Sequence, residues 1–430
     1  MSGGDPVRAG GETAPAGDAV TGDVAARHAL AIAGVVPEAV VTPATRAALT
    51  ADVRAAAAAG AAVVPLGLGA HRALGHAPAR YDVALSTRAL ATVVEYAPAD
   101  MTVTVESGLT LAALDTILAR HGQWLPLDPP CPERTTVGGL IAADLAGPLR
   151  ASQGRVRDFV IGIAMVTADG GEARAGGRVV KNVAGYDLMK LLIGSLGTLA
   201  VVTEATLKVR PRPDVTRVLE LACVDRAAAL TLAPRLAELG EVALAITMID
   251  ATDVPRPTWR CLLGGVAADV ETVRGRLLDA ARAAGAEVVY DGDGTSPESG
   301  ALVAAARDLP RRAAGDLVTR AVALRTRAVR VAAEMLACVD DAQVRACFDP
   351  RAGTVTLAVA TADAAAAIAR LRAIASRHEA TFVVERWPDV LAASVEVWSP
   401  VPRSLPLMRR IKAALDPAGT LAPGRFVARL

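Results

Sequence analysis

Apolar and polar positions alternate with two different periods along this chain, and the switches between them mark its elements. "TPATRAALTADVRAAAAAG" repeats its apolar residues every three to four positions, which predicts a helix starting at Thr42-Pro43 and stopping at Gly60. "AAVVPLG" reads as a short buried strand that runs into the loop "GLGAHRALG", Gly67 to Gly75. "YDVALS" is strand-like, and "ATVVEYAPADMTVTVESG" gives two period-two runs split near Pro98, a hairpin. Thr110 is placed to cap a helix carrying Leu111, Leu114 and Leu118 on one face. After the proline-rich loop "QWLPLDPPCPERTTVGG", the pair Gly138-Gly139 opens a short helix, "LIAADLAG". "RVRDFVIGIAMVTADGGEAR" is a strand, a turn and a returning strand.

Both periods meet in "KNVAGYDLMKLLIGSLGTLAVVTEATLKV", Lys181 to Val209. Leu188, Leu191 and Leu192 have helical spacing and, with Val201, are expected in the core; Tyr186-Asp187 reads as a buried hydrogen-bonded pair. Pro211 and Pro213 mark a boundary. Beyond them, β-like runs such as "EVALAITMID" and "GTVTLAVATA" alternate with amphipathic helices rich in Ala and Arg. "DGDGTSPESG", Asp291 to Gly300, is expected as an exposed loop, and no convincing internal repeat is visible. The chain closes with a helix and two turns at Pro417-Gly419 and Pro423-Gly424.

The 430 residues suit two or three domains, and 52% hydrophobic residues can bury a sizeable core. Aromatics are only 3%, so that core is built from Ala, Val and Leu. A net charge of +1 gives no electrostatic reason for a nucleic-acid or anionic-membrane partner. The five cysteines, Cys131, Cys223, Cys261, Cys338 and Cys347, include no C-x-x-C pair. That argues against a disulfide framework or a metal cluster held by this chain, and for a reducing, cytoplasmic location. Residues 1–28 read as a disordered tail without a signal sequence.

Two loops carry candidate chemistry. In "GLGAHRALG" the start of a G-x-G-x-x-G fingerprint fails at Arg72, and no Walker lysine is present. A loop with few Cβ atoms still exposes consecutive backbone N–H groups, a nest for phosphate; an ordinary tight turn is the alternative. In "TTVGGLIAADLAG" the helix mouth at Gly138-Gly139 is expected to offer unpaired N–H groups to an anion. Two such loops suggest a diphosphate clasped from two sides, which suits FAD.

"VGGLIAADLAGP", "GRVRDFVIG", "VVKNVAGYDLMKLLIGSLGTLAVVTEATLKVRPRP" and "LDPAGTLAPGRF" together resemble the FAD-binding subunits of bacterial glycolate oxidase (glycolate dehydrogenase). Those belong to the vanillyl-alcohol-oxidase/p-cresol-methylhydroxylase class. The resemblance implies an α+β fold: a two-part FAD-binding domain of the p-cresol-methylhydroxylase type, residues 29–213, with an α/β cap, residues 214–400. Residues 401–430 return to the first domain. It implies noncovalent FAD held by Gly67, Leu68, Gly69, Ala70 and His71 in the first loop, by Thr136, Val137, Gly138 and Gly139 in the second, and by the Val202 backbone on the flavin side. The chain departs from the family at Leu68, where glycine is common, and at Ala422, where the family has Asn. Some members of the class link FAD covalently to a loop histidine, but the spacing around His71 differs from theirs.

The implied activity is oxidation of glycolate to glyoxylate within a complex. The implied partners are a small 2-hydroxy acid, a sister flavin subunit and an iron–sulfur subunit, with at most peripheral membrane association through them. Such chemistry needs a base and a cation. No base is legible: after His121 the only histidine is His378, read as a surface residue, and Arg386-Trp387 and Arg425 are candidate substrate or partner contacts. The isolated chain is therefore expected to oxidise glycolate poorly. A self-sufficient dehydrogenase of another 2-hydroxy acid or alcohol, and an interaction subunit with a degenerate flavin site, are the alternatives.

Overall fold

The computed structural model describes residues 24–177, 187–312, 317–339 and 343–430. Residues 24–28, expected in the tail, belong to a short helix, Val24–Ala29. Lys181 to Tyr186 lie outside the described residues, and so does the Tyr186-Asp187 pairing.

The described residues of the first part of the chain form a three-stranded and a five-stranded sheet, with a two-stranded pairing of Gln123–Trp124 and Arg210–Pro211 beside them. β1 (Ala39–Val41), β2 (Val63–Leu66) and β3 (Val83–Ser86) are parallel in the order β1-β3-β2. The helix α1 (Arg46–Ala58) between β1 and β2 buries Leu49, Val53 and Ala56. Its cap is Thr45, whose hydroxyl accepts from the Ala48 N–H, and not Thr42; proline at 43 precedes the helix and does not start it. β4 (Val93–Ala97) and β5 (Thr102–Glu106) form the expected hairpin. Helix α2 (Leu111–Ala119) is capped by Thr110 and buries Leu111, Leu114 and Leu118. Helix α3 (Val137–Ala143) follows, then β6 (Val160–Val166), β7 (Glu172–Gly176) and β8 (Val201–Lys208). These strands make a five-stranded antiparallel sheet, β4-β5-β8-β6-β7, with α2 and α3 packed on it through Leu114, Leu118, Leu140 and Ile141. Of the leucines expected in the core, Leu192 is buried, whereas Leu188 and Leu191 are 46% and 38% exposed. Only four residues, Met189–Leu192, are helical there, too few to carry one buried stripe.

The second part is a nine-stranded antiparallel sheet. Its first half is β9 (Val215–Ala222), α4 (Arg226–Ala237), β10 (Ala243–Ala251), β11 (Thr258–Gly265), α5 (Ala267–Ala283) and β12 (Glu287–Asp293). A connecting helix, α6 (Pro297–Arg312), leads to β13 (Leu317–Val322), α7 (Arg325–Ala337), β14 (Gln343–Asp349), β15 (Thr354–Ala360), α8 (Ala364–Arg377) and β16 (Thr381–Arg386). The order is β12-β9-β11-β10-β14-β15-β13-β16, ending in β17 (Trp398–Ser399). Each half is a βαββαβ unit with strand order 4-1-3-2, and the halves join through their second strands, Met248 opposite Phe348. The internal repeat that the sequence does not display is therefore present in the topology. Asp291 to Gly300 is not a loop throughout: Asp291–Asp293 end β12, and Pro297 starts α6.

Strand alternation gives this sheet two unlike faces. Ile246, Met248, Phe348, Val355, Leu357 and Val384 meet α4, α5, α7 and α8 in the largest core. Thr247, Arg320, Cys347, Asp349, Thr356 and Glu385 point the other way, toward the first part of the chain. Leu149 packs on Leu244 and Ala245, and the Ser152 hydroxyl donates to the Leu244 carbonyl at 2.6 Å, so the two parts are joined there. Helix α9 (Leu405–Leu415) brings the chain back to β2. The Val63 N–H donates to the Thr420 carbonyl at 2.7 Å, and the Ala422 N–H donates to Val63 at 2.8 Å. Lys412 Nζ donates to the carbonyls of Thr198 and Leu421, closing the same corner.

Candidate functional site

β2 ends at Leu66, and the following loop turns back beside the mouth of α3. Among the described residues, no acceptor takes the N–H groups of Gly67, Leu68, Gly69 or Ala70. Four consecutive free donors in a loop with φ +70° at Gly69 make the nest that the sequence suggests, despite Leu68. The loop and the helix mouth touch. A Cβ on Gly67 would lie 2.2 Å from Thr136 Oγ1, and His71 Nε2 is 2.8 Å from Thr135 Oγ1. The Thr135 hydroxyl also lies 2.9 Å from the Pro130 carbonyl and 3.0 Å from that of Cys131.

The helix mouth is built differently from expectation. Its amides are not unpaired: Val137 N–H donates to Leu109 at 2.9 Å, Gly138 N–H to Ser107 at 2.7 Å, and Gly139 N–H to Thr136 Oγ1 at 3.1 Å. These bonds hold α3 against the end of β5 and leave an anion only dipole and clearance. Clearance is what the two glycines divide between them. A Cβ on Gly138 would press on Ser107 Cβ at 2.9 Å, whereas one on Gly139 would meet only Thr136 Oγ1, at 3.1 Å. Gly138 serves packing, and Gly139 faces open space.

That space is two adjoining cavities. One, of about 500 Å³, is lined by Gly67 to Arg72, Arg134 to Thr136 and Gly139. The other, of about 400 Å³, runs from Gly67, Gly138 and Gly139 to Val201 and Val202 on β8. Gly67 and Gly139 line both. The structure thus brings nine of the ten predicted positions to one continuous hollow. Val137 does not reach it; its side chain is fully buried beneath α3.

Sequence reasoning missed the brace of the first loop. Arg425, buried at the C-terminal turn, donates to the carbonyls of His76 at 2.8 Å, Arg72 at 2.9 Å and Leu74 at 2.6 Å. It holds the loop and is not a substrate contact. Burial pulls its pKa down to about 10, still cationic at neutral pH. Trp387 is buried in the large core. His378 is no surface residue either: only 12% of its side chain is exposed, and Nε2 lies 2.8 Å from Glu334 Oε1 on the helix-covered face.

A third cavity, of about 710 Å³, opens between the loop after α3 (Leu145 to Pro148) and the polar face of the large sheet. Because α3 is seven residues long, its two ends stand about 10 Å apart, with the glycine hollow at one and this cavity at the other.

The fold is that of the p-cresol-methylhydroxylase type. The structure of p-cresol methylhydroxylase with substrate bound superposes with a TM-score of 0.70 over 92% of this chain and 90% of that one, at 15% identity. Alkyldihydroxyacetonephosphate synthase gives 0.67 over 90% and 76%, at 17% identity. Residues 37–176 match the family described as "FAD binding domain", which names the cofactor as FAD. The free amides of Gly67–Ala70 and the open side of Gly139 suit its diphosphate.

The chain is similar to glycolate oxidase subunit GlcE of Escherichia coli, 47% identical over 122 residues, which are 28% of this chain and 35% of that one. It is similar to glycolate oxidase subunit GlcD of Bacillus subtilis, 34% identical over 157 residues, 36% and 33% of the two chains. D-lactate dehydrogenase of Archaeoglobus fulgidus is 38% identical over 138 residues, 32% and 31%. The matching segments span about a third of these relatives' lengths.

Proposed function

We propose that the chain is an FAD-dependent oxidoreductase acting on the CH–OH group of a small 2-hydroxy acid, as a flavin subunit of a glycolate-oxidase-type complex. The observation that carries this is the run of free amides at Gly67–Ala70 facing Gly139, in a hollow that lies one short helix away from a polar cavity. On this reading Gly67 to His71 and Thr136, with the open side of Gly139, hold the diphosphate noncovalently, and the Val202 backbone borders the flavin. Residues 29–213 with 401–430 form the FAD-binding unit, and 214–400 the cap. FAD supplies two-electron redox chemistry when bound; the chain supplies donors, a water-shielded groove and the sheet that covers it.

Electrons then need a way out. The relay we propose is a sister flavin subunit and an iron–sulfur subunit. The names of two relatives as subunits support this. No described helix is long and apolar enough to cross a membrane, and any membrane association is proposed to run through those partners.

Denaturation by heat or acid is the test of cofactor binding. Soluble FAD in the supernatant is the expected result. A colourless protein that cannot be reconstituted would return the chain to the non-catalytic alternative, and flavin left in the precipitate would point to covalent attachment at His71. Co-purification from the source organism, with partners identified by mass, tests the complex.

A further inference from the structure

The third cavity holds three guanidinium groups, and they are not equivalent. Arg320 Nε donates to Glu385 Oε1 at 2.6 Å. Arg307 is paired with Asp308 through two bonds of 2.8 Å. The guanidinium of half-buried Arg150 has no hydrogen-bond partner among the described residues, although Arg320 and Arg155 repel it and Asp349 and Asp144 attract it. Among the described residues, it is the cation in this cavity without a contacting anion. Asp349 lines the same cavity, 8% exposed. Its Oδ1 accepts from the N–H groups of Arg351 at 2.8 Å and Ala352 at 3.0 Å, in the β14–β15 turn. Among the described residues nothing donates to its Oδ2, and burial raises the carboxyl's pKa.

We infer that this cavity binds a small 2-hydroxy monocarboxylate, with Arg150 holding the carboxylate and Asp349 accepting the hydroxyl proton as the substrate is oxidised. The inference rests on the flavoenzyme reading above and assigns its substrate side. The step balances: the O–H pair becomes the second carbon–oxygen bond, the proton goes to Asp349, and the C–H pair leaves as hydride to FAD, the two-electron acceptor. Charge favours this order. With Arg307 and Arg320 already neutralised, Arg150 and Asp349 leave the empty cavity balanced. A bound monocarboxylate adds one negative charge, and proton transfer to Asp349 places a neutral acid where two anions would otherwise face each other. A phosphate dianion would bring two charges to one unpaired cation, so the site suits a carboxylate.

The experiment uses the FAD-loaded full chain and, as a non-oxidisable probe, pyruvate. Calorimetry is expected to show pyruvate binding that inorganic phosphate does not displace. Arg150→Met is expected to weaken it about tenfold or more, with Arg150→Lys in between, as for loss of a charge-assisted bond. Asp349→Asn keeps an Oδ1 for the two turn amides, so it folds. It is expected to bind pyruvate within about threefold of wild type, yet to slow anaerobic reduction of the flavin by glycolate or D-lactate by about 100-fold or more. Unchanged affinity in Arg150→Met overturns the anchor. Wild-type reduction rates in Asp349→Asn overturn the proton acceptor. An FAD-replete chain that binds no pyruvate and is reduced by neither acid overturns both, while leaving FAD binding intact. A chain that takes up no FAD sinks the flavoenzyme reading and the oxidation with it; pyruvate calorimetry on that chain then decides the anchor alone.

Discussion

The loop after β2 and the mouth of α3 both read as glycine-bearing anion sites, and the structure gives them different work. The first loop leaves four amides free and is held from behind by Arg425. The second uses its amides on Leu109, Ser107 and Thr136, and contributes a rigid wall with one open glycine. Donors come from one side and clearance from the other. Glycine count alone does not distinguish these roles; the fate of each N–H does.

The largest effect should come from separating the two glycines of α3. Gly139→Val places a branched side chain in the open hollow, so flavin is expected to be lost completely while the apo chain melts within a few degrees of wild type. Gly138→Val drives into Ser107 and its carbonyl, and overpacking of this kind costs about 1–3 kcal/mol. A lowered denaturation midpoint is the expected signature. If Gly139→Val unfolds the chain and Gly138→Val merely bleaches it, the roles are reversed.

Next is the brace. Arg425→Met removes the donors to three carbonyls and is expected to cost about 2–4 kcal/mol, with weaker FAD retention. Flavin release against denaturant measures both. Retention equal to wild type would mean that the first loop needs no support. Leu68→Gly, which restores the residue common in the family, should change FAD affinity less than tenfold. Its amide is already free, and a glycine mainly loosens the unfolded chain, by about 0.4–1 kcal/mol. A large gain in affinity would show that Leu68 obstructs the site.

Local chemistry was legible where a residue's role depends on its neighbours in sequence. The Thr110 cap, the β4–β5 hairpin and the run from Leu66 into a glycine loop all follow from spacing. What was not legible depends on partners far away. Arg150, Arg320 and Asp349 come from a short helix, Arg150–Gln153, and two strands, and polar positions such as Thr354 and Thr356 are not marked as cavity-lining until the loop Leu145–Pro148 and helix α6 come to face them. The duplicated βαββαβ unit is equally hidden, because its halves share strand order without a shared residue pattern. The expectation of poor glycolate oxidation rested on the lack of a legible base and of an electron route out of the chain. The role proposed for Asp349 bears on the first of these, because a carboxylate can serve as base. The need for an electron relay stands, so anaerobic flavin reduction and sustained turnover become separate measurements.

The smallest effect concerns pH, and it too separates the two regions. His76 ends the first loop; its ring is fully buried, edge-on to Trp398 at 5.5 Å, with Glu396 at 3.9 Å and Arg425 and Arg429 nearby. Burial, with repulsion from the two arginines, lowers its pKa from 6.5 to about 4. The unfolded chain therefore takes a proton near pH 6.5 that the folded chain refuses until about pH 4. Stability is lost across that window as pH falls, by about 3 kcal/mol in all, and is unaffected by this group above it. Asp128, raised to about 8 chiefly by burial, works in the opposite sense, so the wild-type curve alone is ambiguous. The difference between wild type and His76→Gln cancels every other group. It is expected to shrink or reverse steadily from pH 6.5 to 4, with earlier flavin release in the wild type, because the His76 carbonyl is one of the three that Arg425 holds. A difference that stays flat with pH would mean that the histidine is charged in place, and that the first loop is no more acid-sensitive than the helix mouth beside it.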